Sequence, residues 1–361
     1  MRSTRRRQAD AAEPSSTMNA VAAPSTAEDT STQSPTVVTL SKIEGPTLKK
    51  SEPRRDVRSK LPKPIQFPLV AILSLSLSAL GYSLTWPYTK GVIAAHARLL
   101  NTWIEVGLVF GWRIFELALG WFGNYDGYDL TALNLLSHGP PLYLLFAHYD
   151  TPPSSLLLTL AIESLATYIP FRLLRPLSTA HGKPSAAPNA EIVADTSIAL
   201  ITTFLAGCIY SVSLLFAYAT YLPTYLVVYF ENLPSVARAH ESSYIGLLPA
   251  TLALGFAAWA FLFTPAEATG RTPADAENEA FDPEAASLAE TVRWNFWGWS
   301  TQTKVVMQRT ALLMLVTGVN TFLQARLTLA GVESAGAAAW ASVWVLAAAI
   351  TGLALGVVGS A

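Results

Sequence analysis

The residues best placed for chemistry are ionisable groups set inside apolar runs. Arg113 and Glu116 stand three apart within 100–122, which also holds Glu105, and Glu163 is the lone charge of 155–171. At 100° per residue, Asn101, Glu105, Arg113 and Glu116 fall within about 120° of one helical face, with Arg98 one turn earlier and Gly107 and Gly111 opposite. An ionisable group at membrane depth costs roughly 2.5–3.5 kcal/mol on insertion scales, so it faces a bundle or water and pairs. Arg113 and Glu116 can neutralise one another, and Glu163 is the natural third partner. Three arrangements fit this pattern: a polar seam along a substrate or ion path, a paired helix–helix contact, or an amphipathic helix lying flat on the membrane.

The second group of residues is SHGPPLYLLFAHYDTPP, with His138, His148 and Asp150 around a helix break expected at Pro140. Broken helices within membranes are tolerated where a cavity or neighbouring protein satisfies the freed backbone groups, and transporters bind their ligands at such breaks. The plainer reading is a kinked helix whose His138 bonds a carbonyl, with His148 and Asp150 at the interface. Two histidines ten residues apart match no metal-ligand spacing, and no HExxH is present. Cys208 is the single cysteine, so disulfides within one chain and cysteine-based metal sites are excluded. The sequence assigns no catalytic residue, no metal and no cofactor.

The elements that hold these groups are apolar helices. Of 361 residues, 51% are hydrophobic and 14% charged, against about a quarter charged in a soluble domain. A spanning helix needs about 20 apolar residues. Clear candidates are 67–86, 155–171, 196–219, 243–264, 310–326 and 336–359; 100–122 is weakened by its charges and 130–148 by Gly139, Pro140 and Pro141. The expected fold is an all-α polytopic transmembrane bundle of eight spans, or six without the weak pair. The charge-free run 196–230 is too short for two spans and reads as one span bending near Pro223, followed by an interfacial piece with Tyr221, Tyr225 and Tyr229.

Residues 1–64 hold 12 of the 24 Lys and Arg and none of the 38 aromatics. That composition buries too little apolar surface to offset roughly 1–2 kcal/mol per residue of backbone entropy, so the segment reads as a disordered cytosolic tail before a helical domain at 65–361. Lys49, Lys50, Arg54, Arg55, Arg58, Lys60 and Lys63 crowd into its end. Such a patch binds anionic headgroups at about 1 kcal/mol per base, and phosphorylation of Ser51 or Ser59 would weaken it. The tail is the part expected to meet lipid or a protein partner; no nucleic acid is implied.

Lys and Arg concentrate on cytoplasmic loops. Eight spans place 19 of the 24 bases on the cytosolic side and Lys90, Arg98, Arg238 and Arg326 opposite. Removing only one weak span inverts everything after it, so the two stand or fall together, and both termini face the cytosol. Several short spans favour a thin membrane. The location read from these features is the endoplasmic reticulum or the contiguous nuclear envelope. A mitochondrial membrane is the alternative, from Arg2, Arg5, Arg6 and Arg7 ahead of Asp10 and Glu13.

From 265 to 293 a cytosolic loop is expected, with seven carboxylates up to Glu290 and no EF-hand order. Beyond it Leu288, Val292, Phe296 and Trp299 share one helical face, flanked by Trp294 and Trp297, as in an interfacial anchor. In the last span Gly352 and Gly356 stand at GxxxG spacing, which permits close helix approach and a homo-oligomer.

Through FRLLRPLS (171–178), RTALLMLVTGVNTF (309–322) and the Gly-rich last span, residues 65–361 resemble uncharacterised multi-pass membrane proteins of filamentous fungi. That resemblance implies a membrane bundle and carries over no activity, cofactor or site residue. Transporter, acyltransferase and desaturase signatures are not visible. The leading functional reading is a non-enzymatic membrane organiser or adaptor, because the distinctive polar features lie at the surfaces. The second is a small-molecule or ion transporter or channel using Arg113, Glu116, Glu163 and His138, and the third a lipid-modifying enzyme. A pocket bringing those four groups within hydrogen-bond reach would favour the second, and separate, lipid-facing or interfacial positions would leave the organiser ahead.

Overall fold

The computed structural model describes residues 62–93, 96–182, 184–231 and 233–360, and each statement below concerns these. The lipid-binding cluster expected at Lys49, Lys50, Arg54, Arg55, Arg58 and Lys60 lies outside them, as does the Lys63 side chain. Eight long helices dominate: α1 (Lys63–Ile93), α2 (Trp103–Phe122), α3 (Gly127–His148), α4 (Pro153–Leu174), α5 (Thr196–Ala219), α6 (Tyr244–Thr269), α7 (Thr301–Thr328) and α8 (Ser334–Ser360). No strand forms among the described residues; two isolated bridges join loops. All but α2 and α3 are long and apolar enough to cross a membrane.

Local sequence sets the helix starts. Thr102 caps α2 and Asp126 caps α3, each in a capping box with the acid three residues on, Glu105 and Asp129. Asp195, Ser243 and Ser300 cap α5, α6 and α7, satisfying amide donors that have no partner within the first turn. α4 opens on Pro153, whose missing N–H costs nothing there. The break after α5 falls at Thr220, and a short helix Leu222–Tyr229 carries the tyrosines.

Loop contacts show that the helices alternate in direction. At a basal end, Phe67 of α1 meets Phe122 of α2 at 5.5 Å, Arg175 after α4 donates to the carbonyls of Gly120 and Trp121, and Asn189 before α5 bonds Glu267 of α6. At the distal end, the chain after α1 bonds the α7–α8 turn (Arg98 N to Thr328 O, 2.8 Å), and that turn bonds Glu231 after α5. Each long helix therefore runs from one end to the other. α2, at 20 residues, covers about 30 Å at 1.5 Å per residue, the thickness of a hydrocarbon core.

α3 is the centre of the bundle, packed on α4, α6 and α7, with 14 of its 22 residues buried. The helix break expected at Pro140 does not occur: α3 is continuous through Pro140 and Pro141. Proline offers no N–H, so the carbonyls four residues earlier, on Leu136 and Ser137, lose their helical donors. α7 supplies replacements, Thr317 Oγ1 to Leu136 O at 3.4 Å and Asn320 Nδ2 to Ser137 O at 2.9 Å. From α8, Trp340 Nε1 donates to Pro140 O at 3.2 Å. Trp340 and Trp344 are fully buried beside Tyr143.

Two helix pairs depend on glycine. A Cβ on Gly255 of α6 would stand 2.4 Å from Thr203 O and 2.6 Å from Gly207 N of α5, so only glycine permits that crossing. Gly352 and Gly356, expected at a close helix contact, face Thr310 and Val306 of α7 in the same chain, and a Cβ on Gly352 would overlap Thr310 Oγ1. Close approach is spent on an internal pair.

The acidic loop also starts later than expected. Residues 265–269 continue α6, and Glu267, 2% exposed, accepts from Asn189 at 3.0 Å and Gln302 at 3.3 Å. Asp275, in a short helix Pro273–Glu279, is buried against the start of α7. In the helix Leu288–Trp297, Leu288, Val292, Phe296 and Trp297 are exposed, as is Trp299 after Gly298. Trp294 turns inward, stacking on Phe281 and donating to Asn278 O.

Candidate functional site

Three of the charged residues singled out in the sequence meet. Arg113 Nη2 lies 3.0 Å from Glu163 Oε2 on α4 and 2.9 Å from Thr167 Oγ1, and Nη1 lies 3.4 Å from Glu116 Oε2. Tyr82 of α1 donates to Glu163 Oε1 at 2.7 Å. Arg113 is the eleventh residue of α2, His138 the twelfth of α3 and Glu163 the eleventh of α4, so all three sit halfway along their helices. Glu116 keeps one oxygen, Oε1, buried without a partner.

His138 shares a cavity with Glu163 alone of the three. Its Nδ1 is 3.1 Å from Ser137 Oγ, not a carbonyl. A cavity of about 90 Å³ is lined by His138 and Glu163 with Tyr82, Thr159, Gln324 and Thr328, and by four apolar side chains. Gln324–Thr328 is a π-helical turn at the end of α7, a wider turn of a kind frequent at functional sites. A separate groove of about 450 Å³ between α3, α4 and α6 has no charged side chain in its lining.

Glu105 does not join the cluster. It stays at the distal start of α2, pairing with Arg98 and accepting from Asn101 N and Thr102 N. His148, expected at the interface, is fully buried between Tyr218 OH at 3.1 Å and Ser235 O at 3.3 Å. Asp150 follows in the loop, with φ of 50°.

The sequence reading missed a network at the basal end. Asp126 Oδ1 accepts from Tyr128 N and Asp129 N, while Oδ2 takes Ser178 N, Ser178 Oγ and His181 Nδ1 at 2.7–2.9 Å. Arg309 of α7 pairs bidentately with Asp129 at 2.7 and 3.2 Å and donates to Phe261 O. Burial raises the Asp126 carboxyl, but the hydrogen bonds of His181, Asp129 and Ser178 outweigh it and hold that carboxyl well below the usual range. Ligand atoms of Asp126, Asp129 and His181 lie within 4.8 Å of one another, and within the protein they are already engaged, His181 donating to Asp126 and Arg309 pairing with Asp129. The arrangement ties α3 to α7 and to the α4–α5 loop. Asp126 and Asp129 at N-cap and N3 are the capping signature that reveals half of it in the sequence.

An all-helical bundle with six span-length apolar helices and a polar cluster at mid-helix defines a polytopic membrane protein. Residues 195–358, from the cap of α5 into α8, match the family model of the Bouquet formation protein 3 C-terminal domain. The match includes RTALLMLVTGVNTF and the Gly-rich last span, two of the segments that resemble fungal multi-pass proteins. No curated protein and no solved structure matches the chain.

Proposed function

We propose that the protein is a non-enzymatic organiser of the nuclear envelope or contiguous endoplasmic reticulum, built of eight spans with both termini in the cytosol. The observation that carries this reading is the match of 195–358 to a domain named for bouquet formation. Supporting the span count, α2 and α3 run end to end with the rest, and α2 presents exposed Trp103, Ile104, Leu108, Phe110 and Phe115, suited to lipid. α3 needs little hydropathy because protein surrounds it. Supporting the orientation, Arg98, Arg238 and Arg326 are distal, whereas Arg175, Lys304 and Arg309 are basal. The basic tail, which precedes α1 in the sequence, is the natural contact with anionic lipid or a partner.

The test is to tag the full chain and to delete it. The expected outcome is fluorescence at the nuclear rim and failure of bouquet formation in cells lacking the protein. Normal bouquet formation without it removes the organiser reading. A second reading, ion transport, is favoured by one observation, the meeting of Arg113, Glu116 and Glu163 near the middle of the bundle, with His138 lining a cavity beside Glu163.

A further inference from the structure

We propose that the cavity beside Glu163 holds one exchangeable proton, shared between His138 and Glu163, that balances a surplus negative charge at the centre of the bundle. The inference deepens the transport reading and rests on it for the position of the site. Arg113 is the guanidinium in contact with both Glu116 and Glu163. Two carboxylates against one guanidinium leave a charge of about −1, and an uncompensated charge in this medium is neutralised rather than tolerated.

Charged and titratable groups reach Glu163 from each neighbouring helix: Tyr82 on α1, Arg113 and Glu116 on α2, and His138 on α3, while α7 adds only neutral Gln324 and Thr328. Tyr82 already donates its proton to Glu163, and Arg113 is fully charged, so neither can absorb the surplus. His138 can. The residue is 9% exposed, Nδ1 is engaged by Ser137, Nε2 has no hydrogen bond among the described residues, and the ring lines the same cavity as Glu163. The cavity, at about 90 Å³, admits water that carries a proton between the two.

The test is the melting midpoint of the full-length protein in nanodiscs as pH is stepped between about 8 and 6, at constant ionic strength. A proton bound in the folded state but not the unfolded one strengthens folding as pH falls, by at most tenfold per pH unit. The wild type is expected to gain about tenfold in its folding equilibrium over this range, read as a rise of about 2–4 °C. Glu163→Gln and Glu116→Gln each remove the surplus charge and are expected to lose the response; either suffices if the other does not fold. A wild type indifferent to pH, or a response retained in these variants, overturns the proposal. So does equal stabilisation by Na⁺ or K⁺ at the higher pH that Glu163→Gln abolishes, since a metal ion then supplies the charge. Proteoliposome flux separates the two ideas: a pH response without flux keeps the proton and removes transport, and flux without a pH response removes the proton alone.

Discussion

Asn320→Ala should destabilise the bundle through a backbone group on another helix. Asn320 Nδ2 donates to Ser137 O at 2.9 Å, a carbonyl that Pro141 cannot serve. An interhelical hydrogen bond in a membrane protein contributes about 0.6 kcal/mol on average and up to about 1.7, and leaving a buried carbonyl unpaired costs about 1–3 kcal/mol. Asn320 Oδ1 is itself buried without a partner, and its removal offsets part of that loss. The net expectation is a loss of about 1 kcal/mol. Pro141→Ala restores the helical N–H four residues after Ser137, so in that background Asn320→Ala should cost almost nothing. The assay is equilibrium unfolding in mixed micelles, followed by helical circular dichroism, for both single variants and the double. The reasoning predicts a coupling of about 1 kcal/mol; additivity within about 0.3–0.5 kcal/mol refutes it.

Three further outcomes follow from the geometry. Arg309→Met leaves Asp129, 1% exposed, unpaired and should cost about 3–5 kcal/mol; adding Asp129→Leu should recover most of it in the same micelle titration, and no recovery counts against the pair. Burial raises the Asp275 carboxyl, but hydrogen bonds from Thr272 and Thr301 overcome this and hold it at about 2, below its ordinary 3.8. Its contribution is therefore complete above the ordinary value and lost as pH falls through about 2; hydrogen exchange at Thr272 and Thr301 should stay slow at pH 5, speed up in Asp275→Asn, and contradict the assignment if that variant exchanges like wild type. A 40–66 peptide should bind vesicles only when they carry anionic lipid, and phosphate on Ser51 and Ser59 should weaken it; equal binding to neutral vesicles contradicts the electrostatic account.

The six apolar helices were legible because hydropathy reports contact with lipid. α3, read as a weak span at 130–148, gave a fainter signal for the same reason. Asp129, Asn134 and Ser137 lower its hydropathy, and each is satisfied from elsewhere in the bundle or its own helix: Asp129 by Arg309, Asn134 by Ser164, Ser137 by its neighbours. Pro140 and Pro141 read as a break since their compensation, Thr317 and Asn320, stands about 180 residues away. The Arg113–Glu116 pairing followed from i, i+3 spacing, and Glu163 from being the lone charge of its span. Tyr82 and Gln324 carried no signal, because an isolated Tyr or Gln within a long apolar helix is common. Gly352 and Gly356 were legible as a close contact but not as to which helix fills it.

The dependence of α3 on α7 also sets an order of biogenesis. Ser137 emerges from the ribosome 183 residues before Asn320, which at about 5–20 residues per second is roughly 10–40 s. Throughout that interval α3 has two proline-orphaned carbonyls and too little hydropathy to rest alone in lipid. The expectation is that α3, as a span, is held at the insertion machinery or against a chaperone until the second half arrives. Chains truncated before residue 300 should then be recognised by quality control through α3, a helix they contain intact.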